Sequence, residues 1–263
     1  MSDPFPAIAE ASAVGEIADI FADIRATVGV RVVNLVWRHL ATLEGALPWA
    51  WGAVKPLYVD GLVDAAATAF RADMEVPRLG PLSGPEPASV DAVLASYDHS
   101  NTINLLALGA LVAWLRGEAG GGAVPPRGPR LKAPDVVLPA LLSEADVAPE
   151  TWALVRRLNR FGDMAQPLIL ASMYRHLAHV PAFLQRMEAV LITVQADGSL
   201  DRAIAANRTT AQEAAKRLAQ AISVERPPSA AEIEASVAAF IDHAIGKMAT
   251  IGRAIRVARG APL

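Results

Sequence analysis

Trp37-Arg-His-Leu-Ala41 returns as Tyr174-Arg-His-Leu-Ala178, 137 residues further along the chain (174 − 37). At the same offset Ile17 pairs with Leu154, Phe21 with Leu158, Ile24 with Phe161, Leu47 with Leu184 and Val54 with Leu191. A pattern of core positions therefore repeats, not only one short string, and a repeated pattern signals a repeated structural unit. Further on, Tyr97-Asp98-His99 matches Ile241-Asp242-His243 at an offset of 144 (242 − 98), so the connecting segments differ by seven residues between the copies.

Within each copy the apolar period is helical. Ile17, Ile20, Phe21 and Ile24 fall on one face, as do Val33, Val36, Leu40 and Leu43, and later Leu154, Leu158 and Phe161. No sustained period-2 alternation occurs. Hydrophobic residues make up 53% of the 263, much of that Ala, while aromatics reach only 5%. A core of Ala, Leu, Val and Ile favours helices. The expected fold is all-α: two tandem pseudo-symmetric helical repeats packed as an intramolecular pseudo-dimer, each covering the apolar face of the other.

Three Pro/Gly-rich stretches punctuate the chain: 75–87, 117–134 and 225–228. Proline loses a helical hydrogen bond and clashes with the preceding turn, so each stretch should end a helical block. The expected organisation is a first repeat over 1–116, a linker over 117–134 and a second repeat over 135–263. Ser229-Ala-Ala-Glu232, after Pro228, has the form of a capping box. The apolar run Ile103 to Leu115 is too short to span a bilayer and is expected as a buried helix.

Composition excludes several functions. The chain has no cysteine, which removes disulfides, thiolate nucleophiles and thiol peroxidase chemistry. Its formal net charge is −3 and the basic residues form no run longer than a pair, so no nucleic-acid partner is expected. Met1 to Pro6 shows no basic stretch leading into an apolar one. The expected location is cytoplasmic, with no membrane partner and no cofactor, and a homodimer is compatible with the sequence.

The chemistry-bearing residues cluster in Ser96-Tyr97-Asp98-His99-Ser100-Asn101-Thr102-Ile103-Asn104. Polar groups at the front of a buried helix must find partners or line a pocket. Tyr97, Asp98 and Asn101 lie about one turn apart, and the candidate catalytic residues are Asp98, His99 and Asn101, with Tyr97 beside them. The second copy carries Ala244-Ile245-Gly246 where the first has Ser100-Asn101-Thr102, which suggests that only one copy uses the polar groups. Arg38-His39 and Arg175-His176 suit either a cationic carboxylate site or a duplicated packing motif, and the duplication favours packing. Asp98-His99 and Asp242-His243 are poor metal chelates, because adjacent helical residues point about 100° apart. Trp37, Trp49 and Trp51 are expected in the core and between helices, and Asp163 as a helix cap.

The string Arg38-His-Leu-Ala-Thr-Leu-Glu-Gly-Ala-Leu-Pro-Trp-Ala-Trp51 resembles the group I (DL-) 2-haloacid dehalogenases, helical proteins of two pseudo-symmetric repeats related in fold to the AhpD-like proteins. Phe21-Ala-Asp-Ile-Arg25, Asn101 and Ala171-Ser172 with Leu177-Ala178 and Pro181 add to it. The resemblance implies hydrolysis of small 2-haloalkanoic acids: a buried aspartate activates a water that attacks the halogen-bearing carbon, and an asparagine holds that water. It places the asparagine on Asn101, the serine before the aspartate on Ser172, and the aspartate itself on Met173. Two pocket aromatics fall near Val32 and Leu35. The implied substrate-binding set is Ser172, Met173, Val32, Leu35 and Tyr97, and the implied ligand a small carboxylate. With Met173 in the aspartate's place, Asp98 is the candidate base. The alternatives are a catalytically inactive carboxylate-binding protein and an oligomeric helical module.

Overall fold

A computed structural model describes residues 5–82, 84–162 and 169–262. Every regular element among them is helical. Five α-helices occupy the first half: α1 (Gly15–Val28), α2 (Leu35–Leu40), α3 (Ala46–Val59), α4 (Leu62–Asp73) and α5 (Ala88–Arg116). Six follow: α6 (Pro149–Leu158), α7 (Ser172–Leu177), α8 (Pro181–Ala196), α9 (Ser199–Ala219), α10 (Ala230–Ala239) and α11 (Gly246–Ala258). A π-helical turn, Phe240–Ile245, joins α10 to α11. The bounds of α7 equal those of α2 moved by 137, and α3 moved by the same amount ends at 196, where α8 ends.

The Pro/Gly-rich stretches interrupt the helices as expected. Ser229 departs from expectation. It stands before α10 in a near-helical conformation (φ −83°, ψ 18°), and its side chain makes no capping bond. An N-cap must be extended for its oxygen to reach back to the second or third amide. Here the backbone bonds Ala230 N to Pro227 O and Ile233 N to Ser229 O satisfy this end instead.

The stretch after α5 runs without helix to Ser143 and docks on the first half. Leu131 N donates to Asp64 Oδ1 (2.7 Å), Arg130 pairs with Asp64 (3.1 Å), and Gly128 N reaches Gly61 O (3.3 Å). This crossing explains both glycines: Gly61 has φ +70°, and a Cβ there would collide with the Gly128 carbonyl.

Two hydrophobic cores form, and each draws on both halves of the chain. The first joins α1 to α5 with Ala211, Leu218, Ile233, Val237 and Phe240. The second joins α6 to α8 with Val90, Val93 and Leu94 of α5 and Met248, Ile251 and Ile255 of α11. The long α5 packs on α9, α10 and α11. Residues 103–115 are buried apart from half-covered Gly109 and Trp114, as the apolar run requires. Trp37 is fully buried and meets Trp51 edge-on, while half-buried Trp49 leans on Trp114. The break at 117–134 therefore divides the sequence without dividing the packing. Among the described residues no helix is long and apolar enough to cross a membrane.

Candidate ligand cavity between the two cores

A cavity of about 50 Å³ opens where four short segments converge. They are Val32–Val36 at the start of α2, Ser96–Asn101 on α5, Ile169–Met173 at the start of α7, and the π turn with Met248 of α11. Leu138 also lines it. The first and third segments are related by the offset of 137, and the second maps onto 240–245 by the offset of 144.

Helical geometry decides which α5 residues reach the cavity. At 100° per residue, Ser96, Ser100, Tyr97 and Asn101 occupy an arc of about 140°, and all four line it. Asn101 is 5% exposed, and its side chain makes no hydrogen bond among the described residues. Its amide is thus left to a ligand or water. Asp98 and His99 continue the rotation out of the arc and do not line the cavity. The Asp98 carboxylate sits among arginines: Arg256 Nη1 at 2.5 Å, Arg253 Nη1 at 3.7 Å and Arg71 Nη2 at 3.8 Å. His99 Nε2 lies 3.1 Å from the Val28 carbonyl, which needs a donor, so this nitrogen carries the proton. Burial lowers the His99 pKa, keeping the ring neutral.

The other expected binding residues, Val32, Leu35, Tyr97, Ser172 and Met173, all line the cavity. Met173 is fully buried, with its sulfur turned toward Gly252. The Tyr97 hydroxyl lies 2.9 Å from His176 Nδ1. Burial pushes the Tyr97 phenol up, against the opposing pull of the Arg38 charge and the Ser172 hydroxyl. Burial, with the charges of Arg175, His179 and Arg38, holds His176 down at about 4. In the Arg-His pairs, Arg38 Nε donates to Val33 O, Arg175 Nε to Leu142 O, and His39 Nδ1 meets Pro6 O. Asp163 lies outside the described residues. Among those described, no three His, Asp or Glu gather as metal ligands would.

Asn34 was not among the residues singled out from the sequence, yet it lines the cavity and ties it to the core. Its Oδ1 accepts from Asn104 Nδ2 (3.2 Å), while Asn104 Oδ1 accepts from Trp37 Nε1 (3.1 Å) and the Tyr58 hydroxyl (3.0 Å). Asn104 is the fully buried hub that fixes α2, α3 and α5 around the pocket. The π turn has no sequence mark beyond Gly246, although the 144-residue offset maps it onto 96–101.

No family model matches the chain, and no curated protein matches it. Solved structures do. A mutant D-2-haloacid dehalogenase is 18% identical, with a TM-score of 0.74 over 98% of this chain and 97% of that one. A mutant D-2-haloacid dehalogenase with D-2-CPA is 17% identical, with a TM-score of 0.72 over 97% of each chain. D-2-haloacid dehalogenase with L-LA is 18% identical, with a TM-score of 0.73 over 98% of this chain and 97% of that one. Likeness over nearly the full length of both partners shows that this chain has the all-helical D-2-haloacid dehalogenase fold.

Proposed function

We propose that the cavity binds a very small organic acid and holds it without hydrolysing a carbon–halogen bond. The observation that carries this reading is the lining itself. Among the described residues it offers the hydroxyls of Ser96, Tyr97, Ser100 and Ser172 and the amides of Asn34 and Asn101, but no carboxylate and no imidazole. Met173 stands where the family resemblance expects a water-activating aspartate. A hydroxyl or amide can orient a water, but neither takes its proton near neutral pH. Asp98 cannot serve as that base, since it faces three arginines away from the lining.

The ligand is small because the space is small. About 50 Å³ is the scale of a few water molecules and well below the usual range of roughly 300 Å³ upward for small-molecule pockets. The apolar walls of Val32, Leu35, Ile169, Met173 and Phe240 suit a two- or three-carbon skeleton, and Met173, unbranched and adaptable, can yield to admit it. Two of the solved neighbours carry D-2-CPA and L-LA, which supports an acid of this size. The matched halves of the lining support a pseudo-two-fold axis through the cavity, with polar groups concentrated on the α5 side.

A thermal-shift series tests the reading. Lactate and 2-chloropropionate should each raise the melting midpoint, because a ligand bound only by the folded state stabilises it. Asn101→Ala should remove the shift. The competing reading, hydrolytic dehalogenation, is favoured by the free Asn101 amide facing the cavity. Halide release from 2-chloropropionate distinguishes the two.

A further inference from the structure

A second cleft lies on the other side of the π turn. Its volume is about 260 Å³, and it runs between α5 and α9 under Ile241 and Asp242. The π turn is a wall common to both spaces, with Phe240, Ala244 and Ile245 facing the first cavity and Ile241 and Asp242 the second. Gly246 permits this wall. A Cβ there would stand 2.6 Å from the Ile241 carbonyl oxygen, which accepts the Gly246 amide, and 3.8 Å from Arg208 Nε.

Among the described residues, five charged side chains line the cleft, and three are neutralised within the fold. Arg116 pairs with Glu234 at 2.6 Å, and Lys216 pairs with Glu118 at 3.4 Å. Arg208 and Asp242 remain. Arg208 Nε is buried and has no hydrogen-bond partner. Neither side chain has an ion pair or hydrogen bond among the described residues, with each other or with any other group. A buried guanidinium nitrogen without an acceptor is costly, and its planar donor fork suits a carboxylate. The half-exposed Asp242 would oppose a simple anion and favour one that also carries an amine. Leu105, Val112 and Ala215 line the same cleft.

We infer that this cleft binds a small zwitterion, an α-amino acid with a short branched apolar side chain. Its carboxylate accepts from Arg208, its ammonium faces Asp242, and its side chain rests on Leu105 and Val112. The site is separate from the small-acid cavity and does not depend on how that cavity is read.

Isothermal titration calorimetry on the full chain tests it with three probes: L-valine, isovalerate (valine without its amine) and isobutylamine (valine without its carboxylate). Valine should bind at least tenfold more tightly than either fragment. Arg208→Gln should weaken valine at least tenfold, and Asp242→Asn should bring valine down to the level of isovalerate. Saturating lactate should leave valine binding unchanged. Unaltered melting midpoints in both variants would show that the losses are local. The inference is overturned if valine gives no binding, if isovalerate binds as well as valine, if Arg208→Gln binds valine like the parent, or if lactate competes.

Discussion

His176 makes the fold sensitive to acid in a way that one substitution can isolate. The imidazole is 1% exposed, with Nδ1 on the Tyr97 hydroxyl and Nε2 buried without a partner. Its pKa is held at about 4 by burial first, then by the charges of Arg175, His179 and Arg38. In the unfolded chain it returns to roughly 6.5. The group is thus neutral when folded over a range where the unfolded chain takes up a proton. Its folded pKa is depressed and its protonated form is cationic, so the stability it confers is complete above about pH 6.5 and falls as pH drops toward 4. The shift of about 2.5 pH units, at about 1.36 kcal/mol each, sets a ceiling near 3 kcal/mol, of which about 2 to 2.5 kcal/mol is lost between pH 7 and pH 4.5. Urea denaturation of the parent and of His176→Gln across that interval reads the difference. Carboxylates and His99 contribute alike to both proteins, so the parent should lose about 2 kcal/mol more than the variant. Parallel stability curves, or an NMR titration of His176 near 6.5, would refute the reasoning.

Four further outcomes follow from the same structure. Asp98→Asn should cost about 3 kcal/mol, because it leaves three guanidinium groups around a neutral, nearly buried amide; urea denaturation reads the loss, and lactate binding to the folded variant should be unchanged. Asn104→Leu should cost a similar amount, roughly 3 kcal/mol, since it strands the Trp37 and Tyr58 donors in the core; the loss should appear in denaturation and in near-ultraviolet circular dichroism of the tryptophans. Asn101→Ala removes no intramolecular hydrogen bond among the described residues and should leave the melting midpoint without ligand within about a degree, about 0.5 kcal/mol, while abolishing the lactate-induced shift. Met173→Asp places a carboxylate at a fully buried cavity position; it should destabilise by about 2 to 4 kcal/mol and give halide release from 2-chloropropionate where the parent gives none, with activity rising with pH as the desolvated acid ionises.

The fold was largely legible because its signals are local and repeated. Trp37-Arg-His-Leu-Ala41 and its second occurrence sit on α2 and α7, and the 137-residue offset is visible in the bounds of both helices. The helical period, the proline breaks and the apolar run at 103–115 each find their counterpart in the structure. What the chain could not disclose were choices made by packing. Ser229 has the right residue type for a cap but adopts a near-helical backbone. Asp98 and Asn101 lie within one turn, yet a rotation of 60° beyond the lining arc sends Asp98 to Arg71, Arg253 and Arg256, residues 27 to 158 positions away. Asn104 reads as one more polar residue in a helix until Trp37, Tyr58 and Asn34 are seen around it. The π turn has no signature of its own beyond Gly246, whose missing Cβ only the structure explains. Part of the cavity was recoverable: once 96–101 was suspected, the offset of 144 marked 240–245 as its counterpart.

Among the described residues, the cavity proposed to hold a small acid presents no base to activate water. Halide release from both enantiomers of 2-chloropropionate, measured over pH 5 to 10 on the unmodified protein alongside a thermal-shift titration, tests it most directly. The prediction is a ligand-dependent rise in melting midpoint with halide release no faster than in buffer. Sustained release from either enantiomer over many turnovers, lost in Asn101→Ala, would contradict it and restore the hydrolytic reading.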